Sequence, residues 1–407
     1  MRVLLVGSGG REHALAWRLS SSPTLTHLHA APGNPGIASL ATCHPVAADD
    51  GDGLLGLARS LAADLVVVGP EAPLVGGVAD ALRHAGIPVF GPSRAAARIE
   101  GSKLFAKAVM QAAKVPTAAV LREPRAPCVL KADGLAAGKG VVVCRTDEEL
   151  AAGLETARRF EGAVLVEELL EGREVSVLAV CDGRDALPLA PARDFKRAYD
   201  GDEGPNTGGM GSFAPVPDVG DALLAELLET CVRPTLAELA GRGTPFLGTL
   251  FAGLMLTEDG PRVLEFNCRF GDPETQSVLP LVDGDLLTAL AAAANGSLAG
   301  TSLRQADGSA VTVVIAAGGY PQAGDTGTPI EGIAEAEAEA PGVHVFHAGT
   351  ARSDGRLVTN GGRLLAVTAT GADLAEARAH AYGAADRIRI PGARRREDIA
   401  LEAAAGR

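Results

Sequence analysis

A chain of 407 residues exceeds what one hydrophobic core ordinarily organises and points to two to four domains. Apolar residues at 47% exclude global disorder, while a net charge of −13 and only 3% aromatic residues argue against a nucleic-acid surface, a base-stacking platform or an anionic-membrane binder. The six cysteines are scattered, with no C-x-x-C pair, which fits a reducing cytosol better than a disulfide framework or a zinc site. The opening MRVLLVGSGGREH turns polar too early for a signal peptide, and no apolar run approaches the ~18 residues a membrane span needs. A cytoplasmic protein is expected.

In chain order, Val3–Val6 reads as a short buried strand, Glu12–Leu19 as a helix and Leu65–Val68 as a second strand ending at Gly69-Pro70. Val78–His84 is helical, and Ile87–Phe90 is a strand stopped by Gly91-Pro92. Strands spaced by helices predict a parallel, doubly wound α/β sheet over residues 1–101, with ligands at the carboxyl ends of its strands. A linking helix from Ser102 to Lys114 precedes short strands at Cys128–Leu130, Val141–Val143 and Val164–Val166, and residues 117–178 read as a smaller, mobile subdomain. Glu174–Leu178 alternates with period two and predicts a half-buried strand. The stretch 185–215 is loop-like and reads as a substrate-closing element, because structureless loops beyond about 12–15 residues are usually functional or disordered. A helix over Leu223–Leu239, strands at Thr249–Leu256 and Arg262–Phe266, and a helix ending near Asn295-Gly296 complete a central region, 102–302. Strands at Ala310–Ile315, Val343–Phe346 and Leu364–Thr368, with a helix from Asp373, predict a small α+β domain over 303–407.

Only six of the 37 basic residues are lysines, and all six fall between Lys103 and Lys196. A compact ammonium suits a phosphate chain, so chemistry is expected in that third of the sequence, chance clustering being the alternative. Gly7-Ser8-Gly9-Gly10-Arg11-Glu12-His13 follows the first strand; either it brings backbone N–H groups to an anion or it is simply a tight turn. The third glycine of a dinucleotide fingerprint is replaced by Glu12, which disfavours NAD. Lys131–Gly140 places lysines at positions 131 and 139 around a glycine- and alanine-rich loop between two strands, suited to covering a triphosphate. Glu167–Glu174 can present backbone to an adenine edge and a carboxylate to a ribose, although an acidic solvated turn is the commoner explanation of such a segment. Within Glu265–Glu274, strand alternation puts Glu265, Asn267 and Arg269 on one face. Glu and Asn oxygens suit Mg²⁺, and an arginine one step on can stabilise a transferring phosphoryl group. The histidines His27, His29, His344 and His347 lack metal spacing and read as structural.

These segments together resemble the ATP-grasp superfamily, and within it the glycinamide ribonucleotide synthetase (phosphoribosylamine–glycine ligase) family. The resemblance runs through nearly the whole chain: GSGGREHALAW (7–17), VVGPEAPLV (67–75), GPS…EGSK (91–103), KADGLAAGKGV (131–141), GPNTGGMG (204–211), EFNCRFGDPETQ (265–276), AAGGYP (316–321), FHAGT (346–350) and TNGGR (359–363). It implies ATP-grasp central domains between the doubly wound and C-terminal domains. It also implies a ligase that consumes ATP, glycine and 5-phosphoribosylamine in purine synthesis through glycyl phosphate, with Mg²⁺ or Mn²⁺, and a monomer rather than an obligate oligomer.

The resemblance implies the following roles. Lys103 and Lys131 reach the ATP phosphates, under a loop containing Gly134, Gly138, Lys139 and Gly140. Glu167, Glu168 and Leu170 meet the adenine, and Glu174 the ribose. Glu265 and Asn267 hold the metal, while Arg269, Asp272 and Lys131 are catalytic. Gly9, Gly10, Arg11, Asp194, Lys196, Asn206, Thr207, Gly208, Arg269 and Asp272 bind glycine and phosphoribosylamine. The chain departs from the family in three places: Phe195 stands where relatives carry histidine, the segment 121–128 is shortened, and Thr249–Leu256 offers no second metal carboxylate. A sibling ATP-grasp ligase and a non-catalytic nucleotide-binding regulator are the competing expectations.

Overall fold

Residues Val3–Val6 have no solvent-accessible surface, and a strand apolar on both faces requires layers on both sides. The structure, a computed structural model describing residues 1–135, 140–157 and 162–406, supplies those layers. The chain runs β1 (Arg2–Gly7), α1 (Gly10–Ser20), β2 (His27–Pro32), β3 (Thr42–Cys43), α2 (Gly51–Ser60), β4 (Leu65–Val68), α3 (Glu71–Gly76), α4 (Val78–His84) and β5 (Val89–Phe90). Its sheet has the order β3-β2-β1-β4-β5 and is parallel throughout, as expected for a doubly wound fold. Strand order reverses at β1, and Gly7–Gly10 and Gly69-Pro70 lie beyond the carboxyl ends of β1 and β4, the position where doubly wound sheets ordinarily take ligands.

Two serine-capped helices, α5 (Arg94–Gly101) and α6 (Lys103–Ala112), lead out of this sheet; Ser93 accepts from the Ala96 N–H and Ser102 from the Phe105 N–H. Next come β6 (Cys128–Ala132), β7 (Val141–Cys144), α7 (Asp147–Ala157) and β8 (Val164–Glu168). They form an antiparallel sheet in the order β7-β6-β8 over a small core of its own, built from Cys128, Leu130, Cys144, Leu150 and Val166.

The chain continues through β9 (Arg173–Asp182), β10 (Ala186–Pro188), β11 (Arg193–Asp194), β12 (Arg197–Tyr199), β13 (Glu203–Asn206), β14 (Gly211–Ala214), α8 (Asp221–Leu227), α9 (Arg233–Gly241), β15 (Leu247–Thr257) and β16 (Gly260–Asn267). A π-helical turn, Leu228–Val232, divides the single helix expected over 223–239. The antiparallel sheet β10-β9-β15-β16 forms the floor of the central region. The expectation of a half-buried β9 is corrected: Val175, Val177, Ala179 and Cys181 enter one core while Leu178 and Val180 enter another. Its polar position Ser176 is covered too, because it lies under Glu274 rather than facing solvent.

The last stretch comprises α10 (Glu274–Val278), β17 (Val282–Asp283), α11 (Leu286–Ala294), β18 (Arg304–Gln305), β19 (Ser309–Ala316), β20 (Asp325–Pro329), α12 (Ile333–Glu337), β21 (Val343–His347), β22 (Thr350–Ser353), β23 (Arg356–Gly361), β24 (Arg363–Gly371), α13 (Leu374–Ala385) and α14 (Leu401–Ala404). Its main sheet has the order β11-β14-β19-β24-β21, so two strands from the stretch expected to be a loop are built into it. The 185–215 reading is corrected accordingly: it contains five short strands, and β12 and β13 pair with each other. Arg394 donates to the Ala198 carbonyl at 2.6 Å, and buried Arg396 binds Asp202 at 2.7 Å and stacks over Phe195 at 4.9 Å. Phe195 thus has a packing partner in place of the hydrogen bonds a histidine would seek. Among the described residues, no helix is long and apolar enough to cross a membrane.

Helix α1 meets the last main sheet through histidines. His13 on α1 accepts the His347 backbone N–H at Nδ1 (2.8 Å) and packs edge-on to Phe346. Burial, then His347 and His344, push His13 down to about 3; burial and Arg352 push His347 down to about 4. Because the folded pKa of His13 lies below its unfolded value, its contribution is complete above pH 6.5 and is lost as pH falls toward 3. Urea unfolding should therefore show stability dropping across that window by an extra ~1.4 kcal/mol per pH unit relative to His13→Gln. Parallel pH profiles for the two proteins would refute this.

Candidate active site

The site is built around a bulge in β16. Glu265 pairs with Gly253 and Val263 with Leu254, which leaves Leu264 as an extra residue. The bulge resets the alternation, so Val263, Phe266, Cys268 and Phe270 are buried while Glu265, Asn267 and Arg269 lie on the more open side. Gly253 makes room for this, since a Cβ there would stand 3.4 Å from the Glu265 Cγ. The freed Leu264 carbonyl accepts a hydrogen bond from the Lys131 ammonium at 2.8 Å. The lysine strand β6 is thereby tied to β16 directly beside Glu265.

The start of the loop after β6 is pinned to α6. Ser102 donates to Asp133 at 3.0 Å, the Leu104 N–H donates to the same carboxylate at 3.2 Å, and Lys103 Nζ donates to the Gly134 carbonyl at 2.8 Å. Burial pulls the Lys103 ammonium below its usual range, with Glu265 and Asp133 opposing. Gly134 has φ +97°, a left-handed conformation that favours glycine. Gly140 closes the loop, its carbonyl accepting the Ala132 N–H at 2.8 Å, whereas Gly138 and Lys139 lie outside the described residues.

Glu167 sits within β8, opposite Val129 on one side and bridged to Val120 on the other, so its backbone belongs to the sheet. Its carboxylate, nearly without exposure, pairs with Lys131 at 2.6 Å and with Lys107. Glu168 accepts the Ala119 N–H at 2.8 Å, and Leu170 follows the strand end. Glu174 pairs with Lys196, which holds its carboxyl below the usual range. Burial works against the Lys196 charge, but Asp194, Glu174 and Glu265 outweigh it and hold the ammonium well above its ordinary value. Asp194 stands 3.5 Å from Lys196 and is pushed up by burial.

Arg269 is clamped from three sides. Its Nε lies 3.3 Å from Glu71, one Nη lies 3.3 Å from Glu100, and the other donates to the Phe270 carbonyl at 3.1 Å. Glu100 also accepts the Cys268 N–H at 2.8 Å. Burial disfavours the guanidinium charge, yet the two carboxylates raise its pKa above the ordinary value.

Beyond Arg269 the same segment reaches a hollow. A cavity of about 410 Å³ is lined by Gly9, Asn34, Asp272, Gly349, Asn360 and Arg363 among others. Burial raises the Asp272 carboxyl, but Arg363 (3.0 Å) and Arg11 overcome this and hold it below the usual range. A Cβ on Gly10 would come within 2.7 Å of the Gln276 amide, which itself donates to Asp272 at 2.7 Å. Arg11 is buried and donates to the Phe270 carbonyl at 3.2 Å. Thr207 binds the Lys196 carbonyl at 2.8 Å, Asn206 ends β13, and Gly208 receives Arg363 at 2.5 Å while donating to the Tyr320 hydroxyl at 2.8 Å.

The sequence reading omitted Glu71, Glu100, Glu274, Arg363 and Lys107. Four of these lie inside matched strings (VVGPEAPLV, EGSK, EFNCRFGDPETQ, TNGGR), so a signal existed, whereas Lys107 had only the lysine clustering. Glu274, 4% exposed, is pushed up to about 7 by burial and by Asp194.

For a divalent cation, Glu265 and Asn267 provide two hard oxygen donors on one side of β16. Among the described residues no group of three or more His, Cys, Asp or Glu side chains converges. That donor set fits Mg²⁺, which completes its octahedron with water and phosphate oxygens rather than an all-protein cage.

Three family models match in succession: the phosphoribosylglycinamide synthetase N domain at residues 1–100, its ATP-grasp (A) domain at 101–275 and its C domain at 310–402. A phosphoribosylamine–glycine ligase of Streptomyces coelicolor is 54% identical over 99% of this chain and 100% of its own length. The crystal structure of the Thermotoga maritima phosphoribosylamine–glycine ligase, 35% identical, superposes with a TM-score of 0.85 over 98% of this chain and 100% of that one. The biotin carboxylase domain of a Hydrogenobacter thermophilus 2-oxoglutarate carboxylase, at 17% identity and a TM-score of 0.72, shares the fold. With a relative 54% identical over nearly the whole of both chains and three domain models of one family matched in order, the chain belongs to the phosphoribosylglycinamide synthetase family.

Proposed function

We propose that this chain uses ATP to join glycine to 5-phosphoribosylamine, releasing ADP and phosphate and forming glycinamide ribonucleotide in de novo purine synthesis. A carboxylate is a poor acyl donor. Its oxygen therefore attacks the γ-phosphorus, ADP leaves, and the ribosylamine nitrogen then displaces phosphate from the acyl carbon of glycyl phosphate. Such chemistry needs positioned charge more than a covalent nucleophile.

The observation that supports this reading is the Lys131–Leu264 contact at 2.8 Å, which ties the lysine strand β6 to β16 beside Glu265. In this reading Lys103 and Lys131 hold the triphosphate, the strand end from Glu167 through Leu170 borders the adenine, and Glu174 receives the ribose. Glu265 and Asn267 hold Mg²⁺, or Mn²⁺ in its place. When bound, the metal neutralises charge on the phosphate chain. Arg269, held flat by Glu71 and Glu100, faces the transferring phosphoryl group. The hollow beside Gly9, Gly10, Asp272 and Gly208 takes phosphoribosylamine, with Asp194 and Lys196 toward glycine.

The test is ADP release with each substrate omitted in turn. Release should require both glycine and freshly made phosphoribosylamine; ADP formation independent of glycine would end the assignment. Asn267→Ala should raise the magnesium concentration for half-maximal rate by roughly tenfold or more, since even outer-shell partners of a metal commonly cost that much. An unchanged magnesium titration would remove Asn267 from the metal site.

A further inference from the structure

Lys107 lies one helical turn beyond Lys103 on α6 and is 4% exposed. All three of its ammonium hydrogens have an acceptor: Glu167, the Thr117 hydroxyl at 2.8 Å and the Ala118 carbonyl at 2.9 Å. Thr117 in turn donates to the Val263 carbonyl at 2.7 Å, one residue before the bulge carbonyl that receives Lys131. A closed ring results, running Lys107–Thr117–β16–Lys131–Glu167 and back to Lys107.

Within that ring the two lysines are not equivalent. Lys131 uses two hydrogens, on Glu167 and on the Leu264 carbonyl, and among the described residues its third has no protein acceptor. One carboxylate serves two ammonium groups, so the triad carries a net positive charge, and only Lys131 has a donor left to project it. Were Glu167 shared with no second cation, it would neutralise Lys131 and the hairpin would meet a triphosphate as an ion pair.

We propose that Lys107 is a positioning residue for nucleotide binding: it draws on Glu167 from behind, leaving Lys131 aimed and charged for a phosphate. This rests on the reading of Lys131 as a phosphate ligand, and the experiment separates the two. Full-length Lys107→Gln, Lys107→Arg and Lys131→Met are titrated calorimetrically with MgADP, and their KM values for ATP and glycine are measured. Gln keeps hydrogen bonding without charge, and Arg keeps the charge. Lys107→Gln should weaken MgADP binding and raise the KM for ATP by roughly tenfold, the worth of one unit charge acting across a few ångströms of partly screened protein. The glycine KM and kcat should stay within about twofold, and Lys107→Arg should bind within about threefold of the parent. A merely structural lysine would lower the melting temperature without this split. The inference falls if Lys107→Gln binds MgADP like the parent while Lys131→Met does not, or if Lys107→Arg loses as much as Gln. Parent-like binding by Lys131→Met would instead overturn the nucleotide site itself, and this inference with it.

Discussion

Arg269→Lys is expected to lower kcat by about 10²- to 10³-fold, the loss typical when a donor aimed at developing charge is removed. The reason lies in the clamp. Glu71, Glu100 and the Phe270 carbonyl each take a different edge of the planar guanidinium, so its orientation is fixed before substrate arrives. An ammonium is a point charge with three rotatable donors and cannot span two carboxylates 3.3 Å away on different sides. Because the contact strengthens as phosphoryl charge develops, KM for ATP should change little while kcat collapses. A near-normal rate would remove Arg269 from the phosphoryl group.

Glu167→Ala should cost about 3–5 kcal/mol of stability, measured by urea unfolding, because it leaves two buried ammonium groups without their counter-ion. Lys107 and Lys131 are 4% and 7% exposed, so water cannot take over from the lost carboxylate. The melting transition should be rescued in part by adding Lys107→Met to Glu167→Ala, which removes one stranded charge. Stability within about 1 kcal/mol of the parent would show the triad to be solvated, as an exposed ion pair would be.

The elements read from sequence with most success are those whose signal is local. Val3–Val6 and Leu65–Val68 are continuous apolar runs and proved to be central parallel strands, and the helix expected from Asp373 is α13, with Asp373 as its cap. The stretch 185–215 was opaque because its strands are two to four residues long and are specified by partners such as β19, about one hundred residues later. β9 misled for a related reason: its Glu-x-Ser alternation marks a polar face, but that face lines the site instead of meeting water. The Glu265–Arg269 row was legible as a motif, whereas the Leu264 bulge that aims it was not, since no residue type marks a bulge without its opposing strand. Glu100 and Arg363 belong to segments 168 and 91 residues from the groups they hold, a pairing only the fold creates.

The most direct measurement is a crystal structure of the protein with MgADP. The diphosphate is expected between Lys103 and Lys131, with the metal ligated by Glu265 and Asn267 and the remainder of its shell filled by water and phosphate. A nucleotide bound elsewhere, for instance beside Asn34 and Arg363, or a metal distant from Glu265, would contradict it.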